Sequence, residues 1–173
     1  MTGSDVTILP FAPEHLEGFR QCVGAVAREK RWLAFVDTPP LKETKEYTDW
    51  MLANDMPFFV VMDGGQVVGW CDLSRTNRPT QAHIGVLGMG LLPAYRDRGI
   101  GRRVLQHTLD VGRARGLERV TLHVHANNDR ARRLYEKLGF RFEGVMRRGF
   151  KVDDHYDDVV VMGLLFEEEH SVA

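Results

Sequence analysis

Apolar residues along this chain alternate between helical and strand-like spacing, and the changes mark out short strands and amphipathic helices. Val6 to Leu9 is a short β-rich run. After Pro10 to Pro13, the residues Leu16, Phe19, Val23 and Val26 recur at helical spacing up to about Arg28. Thr38-Pro39-Pro40 breaks the chain before a second helix expected over Glu43 to Asn54. Two apolar runs, Pro57 to Met62 and Gln66 to Leu73, flank Asp63-Gly64-Gly65 and predict a hairpin. Beyond a polar loop over Arg75 to Gln81, Ala82 to Leu92 reads as a central strand. Its Gly85, Gly88 and Gly90 weaken a regular strand unless it bulges or something approaches closely, and this points to a ligand.

The second half repeats the alternation. A third helix is expected from about Gly99 to Arg115, with Val104, Leu105, Thr108, Leu109 and Gly112 on one face and a stop near Gly116. Val120 to Ala126 is a strand. Asn127-Asn128-Asp129 then caps a helix carrying Ala131, Leu134, Tyr135 and Leu138, which ends at Gly139. Phe140 to Phe150 and Tyr156 to Phe166 complete a strand pair joined by Val152-Asp153-Asp154-His155. The pattern predicts one mixed α/β domain over residues 1–173, without repeats or low-complexity tracts.

Composition narrows the class. With 173 residues, 43% hydrophobic and 27% charged, the chain can bury a real core, which excludes a disordered or fibrous protein. The amino terminus has no basic segment leading into an apolar run, and the uncharged stretch Ile84 to Tyr95 is too short to span a bilayer. A cytoplasmic protein without membrane partners is therefore expected. Cys22 and Cys71 lie in apolar surroundings without CxxC spacing, which favours buried reduced thiols. The formal net charge of −1 conceals an asymmetry: residues 94–151 hold 15 Lys/Arg against 6 Asp/Glu, and residues 152–173 hold 7 acids and no Lys/Arg. A basic segment of this kind suits a polyanionic small molecule. Nucleic acid is the competing partner, but no aromatic stacking series or binding motif accompanies the arginines.

The basic segment begins with Tyr95-Arg96-Asp97-Arg98-Gly99-Ile100-Gly101-Arg102-Arg103, between the central strand and the third helix. A helix start leaves backbone N–H groups without partners and carries partial positive charge, so it attracts phosphate oxygens. Gly99 and Gly101 allow close approach of those donors, and Arg96, Arg98, Arg102 and Arg103 add charge. The alternative is a glycine turn followed by a solvated basic helix.

These residues resemble the GCN5-related N-acetyltransferase superfamily. Its pyrophosphate loop, Gln/Arg-x-x-Gly-x-Gly/Ala, is matched by Arg96-Asp97-Arg98-Gly99-Ile100-Gly101. Its Asn-x-x-Ala-x-x-Leu-Tyr-x-x-x-Gly-Phe pattern is matched from Asn128 to Phe140. Gly144, Arg147-Arg148 and the run from Tyr156 through Asp158 to Met162 are similar to bacterial small-molecule acetyltransferases. Those include amino-acid N-acetyltransferases of the YhhY type and, more distantly, polyamine and ribosomal-protein acetyltransferases.

The resemblance implies a central mixed, mostly antiparallel twisted sheet of about seven strands, flanked by about four helices, with splayed central strands at an acetyl-CoA site. It implies acetyl transfer from acetyl-CoA, without a metal, to the primary amine of a small molecule by direct attack in a ternary complex. An amino acid-like acceptor is favoured. Arg96, Asp97, Arg98, Gly99, Ile100, Gly101 and Arg102 would hold the pyrophosphate. Met89, Gly90 and Leu91 would align the pantetheine arm, helped by a bulge near Gly88 to Gly90, and Asn128, Arg130 and Ala131 would bind from the other side. Tyr135 stands where the family uses a tyrosine to protonate the departing thiolate; a core tyrosine is the alternative.

Relatives that use a glutamate base on the central strand have it where this chain has Gly85. His83 is the nearest titratable group, as a base acting through water or as a structural histidine. Glu29, beside Trp32, is a candidate for binding a cationic amine or starting a proton relay. Arg147-Arg148 would bind an acceptor carboxylate, Tyr156 lies in the same segment, and Trp32, Phe35 and Trp70 form either an apolar pocket or core. Asp153, Asp154, Asp157 and Asp158 make an acidic loop that attracts cations or is simply solvated. His123 and His125 share a strand face, which invites a metal reading, but no third ligand accompanies them. A homodimer through the last strands is expected.

Overall fold

The computed structural model describes residues 6–166. Seven strands and four α-helices follow one another as β1 (Thr7–Pro10), α1 (Leu16–Ala27), α2 (Leu41–Ala53), β2 (Phe58–Asp63), β3 (Gln66–Ser74), β4 (Ile84–Leu91), α3 (Ile100–Ala114), β5 (Arg119–His125), α4 (Asp129–Lys137), β6 (Arg141–Val152) and β7 (His155–Leu165). The acidic Glu167, Glu168 and Glu169 lie outside the described residues. The strands form one sheet in the order β1-β2-β3-β4-β5-β7-β6. Every neighbouring pair is antiparallel except β4 and β5.

Helix faces follow the apolar spacing. In α3 the buried residues are Ile100, Val104, Leu105, Thr108, Leu109 and Gly112, the predicted stripe plus its first residue. α1 and α2 cover one face of the sheet, where Phe19 meets Trp70 edge-on at 5.8 Å and the Tyr47 hydroxyl donates to Asp72 at 2.6 Å. α3 covers the other face. Its Gly112 comes so close to β3 that an added Cβ would lie 2.6 Å from Leu73 Cδ1. The hairpin turn places Gly64 (φ +53°) and Gly65 (φ +85°) in left-handed conformations, as a two-residue loop matched to strand twist requires. Pro40 sits directly before α2, and the Thr44 hydroxyl donates back to its carbonyl at 3.0 Å, so this helix begins two residues earlier than its spacing predicts. Cys22 and Cys71 are buried free thiols, and burial pushes the Cys22 thiol up to about 12.

The central strand departs from expectation. The β3–β4 ladder runs without a register shift from Ser74↔Val86 to Gly69↔Leu91, so there is no bulge at Gly88 to Gly90. The glycines answer to packing instead. A Cβ on Gly90 would lie 2.4 Å from Trp70 Cη2, and one on Gly88 3.1 Å from an Asp72 carboxylate oxygen. The gap opens on the other edge of β4, where pairing with β5 stops after Ile84↔Arg119, Gly85↔Val120 and Val86↔Thr121. β4 keeps its β3 partner to Leu91 and β5 keeps its β7 partner to His125, so residues 87–91 and 122–125 diverge as the two arms of a V.

Among the described residues, no helix is long and apolar enough to cross a membrane.

Candidate active site

Strand alternation decides what the V presents. The Leu92 N–H donates to Val68 on the β3 side, whereas the His83 carbonyl accepts from Glu118 and Arg119 on the β5 side. With a period of two and no shift in between, Leu87, Met89 and Leu91 turn their main-chain groups into the gap. Met89 and Leu91 are therefore the positions able to pair with an extended ligand. The Leu91 carbonyl already accepts from Arg96 Nε at 2.9 Å.

The phosphate-loop candidate lies at the mouth of the V. Gly99, at φ +76°, precedes α3 in a left-handed conformation that strains any side chain. Arg103 N–H bonds back to the Gly99 carbonyl at 3.1 Å, so the amides of Ile100, Gly101 and Arg102 precede the first intrahelical bond. The first turn has neither a side-chain cap nor an acidic residue, and these donors meet the positive end of the helix dipole. Arg98 lies 5.5 Å over the Tyr95 ring, and Arg102 is exposed in the first turn.

Arg96 does something different from what its place in the loop suggests. Its Nη1 donates to Glu29 Oε2 at 2.8 Å and its Nη2 to Glu29 Oε1, a bidentate pair between the end of α1 and the loop. Trp32 Nε1 also donates to Glu29, at 2.9 Å. These partners, the Arg96 hydrogen bonds above all, hold the Glu29 carboxyl below its usual range. Glu29, expected to receive an amine or its proton, and Arg96, expected at the pyrophosphate, are thus placed against each other. Arg130 closes the same corner, 5.8 Å over Trp32 and 3.4 Å from Asp97.

Beneath the mouth, Asn128 caps α4 by accepting from the Ala131 N–H at 3.2 Å, which leaves its NH2 group for a ligand. Tyr135 is buried against Phe140, with Cys71 of β3 among its electrostatic neighbours, and Cys71 pairs with Met89 across the ladder. Burial pushes its phenol up, so it stays protonated, and its hydroxyl has no hydrogen-bond partner among the described residues. A buried tyrosine normally bonds something through its hydroxyl.

The acceptor side brings together residues distant in sequence. Lys30, just past α1, pairs with Asp153 of the β6–β7 turn at 2.8 Å, so the α1–α2 connection meets that hairpin. His125, at the end of the free arm of β5, stacks on Phe150 at 4.1 Å, and its Nδ1 lies 3.3 Å from Asp157. His123 is exposed, and among the described residues no three His, Cys, Asp or Glu are grouped to hold a metal ion.

Other expected positions lie elsewhere. His83 is in the turn before β4, at the closed end of the V, six extended residues or roughly 20 Å from Met89. The expected base thus stands at the opposite end of β4 from the positions that face the open part of the V. Trp70 is core and Phe35 is exposed, so they do not form one pocket with Trp32. Arg147 is exposed where β6 loses register, and Tyr156 sits on the outside of the hairpin under Arg148 and Lys151. Sequence reasoning also passed over a structural feature of the core, the buried carboxylate of Asp72. Burial pushes its carboxyl up to about 7, although Tyr47's hydrogen bond works against this. The available signal was a lone carboxylate in the otherwise apolar run 67–73.

The sequence is 42% identical over 89 residues, 51% of this chain and 54% of the relative, to N-alpha-acetyltransferase RimI of Mycobacterium tuberculosis. It is 36% identical over 72 residues, 42% of this chain and 49% of the relative, to the ribosomal-protein alanine N-acetyltransferase of Escherichia coli. The chain spans about half the length of these curated relatives. Its fold is shared with a phosphinothricin acetyltransferase from Sinorhizobium meliloti solved with acetyl-CoA, at a TM-score of 0.88 and 19% identity over 97% of this chain and 92% of that one. The sequence model of the acetyltransferase (GNAT) family matches residues 25–140, a span holding both arms of the V, the loop and α4. By that match and by this architecture, the chain belongs to the acetyltransferase (GNAT) family.

Proposed function

We propose that this protein transfers the acetyl group of acetyl-CoA to a primary amine. One observation carries the reading: a parallel strand pair opens after three residue pairs, beside a glycine-started helix whose first amides have no hydrogen-bond partner among the described residues. An extended pantetheine arm fits between such strands, and a pyrophosphate fits such a helix start. The bound donor supplies an activated thioester, and the chain's own groups do the rest. Met89 and Leu91 align the arm through main-chain bonds, and Asn128, Arg130 and Ala131 flank it. The amides from Asp97 to Arg102 hold phosphate oxygens. The Tyr135 hydroxyl gives its proton to the departing sulfur.

For the acceptor, an amino acid-like small molecule is supported by exposed Arg147 and Arg148, a pair suited to a carboxylate. A peptide amino terminus is the second reading, favoured by the identity with RimI-type enzymes. A bacterial, cytoplasmic setting is supported by the bacterial relatives and the two free thiols. Dimerisation through the last strands is supported by exposed Phe142, Val145 and Met146 on the edge strand β6.

The test is thiol release from acetyl-CoA with methionine, phenylalanine, spermidine, kanamycin and an alanine-starting peptide. Release with an amino acid supports the first acceptor, and release with the peptide alone supports the second. Saturable acetyl-CoA binding without release for any amine would make the protein a sensor and refute the catalytic reading.

A further inference from the structure

We propose that His125, oriented by Asp157, is the group that takes the proton from the acceptor amine. The inference rests on the acetyl-transfer reading and supplies the base that reading lacks.

His125 is 1% exposed, yet its Nε2 is buried without a hydrogen-bond partner among the described residues. Such a nitrogen is costly in a folded protein unless a ligand or water meets it. Its surroundings fix the ring. One face lies flat on Phe150, the two rings within 6° of parallel, and Nδ1 meets Asp157 Oδ2 at 3.3 Å.

The direction of Nε2 follows from topology. β5 has β7 on one side and the open V on the other, and Asp157 belongs to β7. The two ring nitrogens point away from each other, so with Nδ1 tied to β7 the Nε2 edge of the ring lies on the side of β5 that borders the V, beneath protein atoms that an entering acceptor displaces. The His125 carbonyl accepts from the Asn128 N–H at 2.9 Å, which sets the ring at the level of the residue that caps α4.

Chemistry selects the role. A carboxylate at Nδ1 holds the proton there and leaves a lone pair on Nε2, the form that accepts a proton. The charged neighbours are few. β7 contributes Asp157, and α4 contributes Arg132, whose Nη1 donates to the Ala126 carbonyl at 3.1 Å. β6 presents Phe150, and residues 87–91 of β4 contain no titratable side chain.

In the step, the acceptor ammonium gives one proton to Nε2 and its nitrogen attacks the thioester carbon. As the C–N bond forms and the C–S bond breaks, the second nitrogen proton is lost as the sulfur gains one from Tyr135, whose phenol is thereby restored. The His125 proton leaves to solvent with the product.

The experiment compares wild type, His125→Gln, Asp157→Asn and Asp72→Asn by thiol release over pH 6–9 with the amines named above, and by calorimetry with acetyl-CoA. His125→Gln is expected to lower kcat/KM about 10²–10³-fold and to abolish the acid limb of its pH profile. Asp157→Asn, at a carboxylate 44% exposed and so safe for folding, is expected to cost about tenfold. Both should keep acetyl-CoA affinity within about threefold, and Asp72→Asn should keep the wild-type profile. Retention of kcat/KM within about twofold in His125→Gln, or in Asp157→Asn where the first variant does not fold, overturns the proposal and leaves the transfer reading standing. Loss of the acid limb in Asp72→Asn alone also overturns it. A wild type that releases no thiol with any amine overturns both.

Discussion

Asp72 gives the sharpest physical test of this fold. It is 3% exposed, on a central strand, and its recorded donor is the Tyr47 hydroxyl at 2.6 Å. Burial moves its carboxyl from an ordinary 3.8 to about 7. A carboxyl raised in the folded state holds its proton more tightly there than in the unfolded chain. Its contribution to stability is therefore full below pH 3.8 and is lost progressively as pH rises to about 7. At about 1.4 kcal/mol per pH unit, the displacement sets an upper bound of about 4 kcal/mol, and relaxation around the charge brings the expected loss to about 2–4 kcal/mol. That is a large part of the roughly 5–15 kcal/mol that stabilises a domain.

Asp72→Asn removes the titration while keeping the shape. Because the new amide needs an acceptor of its own, the readout is the slope with pH rather than absolute stability. Urea unfolding followed by the fluorescence of Trp32, Trp50 and Trp70 should show wild type losing about 2–4 kcal/mol more than the variant between pH 4 and pH 8. Parallel profiles, within about 0.5 kcal/mol of each other, would mean that Asp72 ionises normally and would refute the argument from burial.

Three further outcomes follow from contacts already described. Gly90→Ala forces the Trp70 indole, itself packed on Phe19, away from a Cβ 2.4 Å distant, and should cost about 1–3 kcal/mol and several degrees of Tm in a thermal melt. Arg96→Lys cannot reproduce the bidentate pair with Glu29 and the bond to the Leu91 carbonyl together; it should lower stability by about 1–3 kcal/mol and weaken acetyl-CoA binding several-fold by calorimetry. Tyr135→Phe should lower kcat about tenfold or more while acetyl-CoA affinity stays within about threefold, and an unchanged kcat removes the hydroxyl from the mechanism.

Legibility in the sequence tracked the distance between interacting residues. The donor half of the site is local: Gly99 and the first turn of α3 are contiguous, and Asn128 caps the helix that carries Tyr135 seven residues on. Spacing and turn chemistry report such features directly. The acceptor half is built across the sheet. His125 meets Asp157 across 32 residues and Lys30 meets Asp153 across 123, and away from the site, in the core, Tyr47 meets Asp72 across 25. No periodicity encodes those meetings; they follow from strand order, above all from β7 inserting between β5 and β6. The glycines of β4 depend on the same kind of meeting: a close approach is what they allow, but its source is not local. Their spacing was visible, but the Trp70 and Asp72 side chains they accommodate belong to the neighbouring strand.

The pairing of Arg96 with Glu29, across 67 residues, bears on how the loop would hold the phosphate proposed for it. Four arginines near a helix start read as four positive charges offered to a ligand. One is neutralised by α1, and Arg98 rests on Tyr95, with Nη1 3.4 Å from the Ala94 carbonyl. In the proposed donor site the oriented amides of Ile100, Gly101 and Arg102 would then share the attraction with the exposed side chains of Arg102 and Arg103, and the amides would be weakened less by salt than those side chains are. The same fork fixes the loop to the end of α1, from which the chain runs through Trp32 and Lys30 to the acceptor side. In the site proposed above, Glu29 would thus position both substrates without touching either. Losing it frees the loop and the acceptor wall together, so donor and acceptor binding should weaken in concert rather than separately.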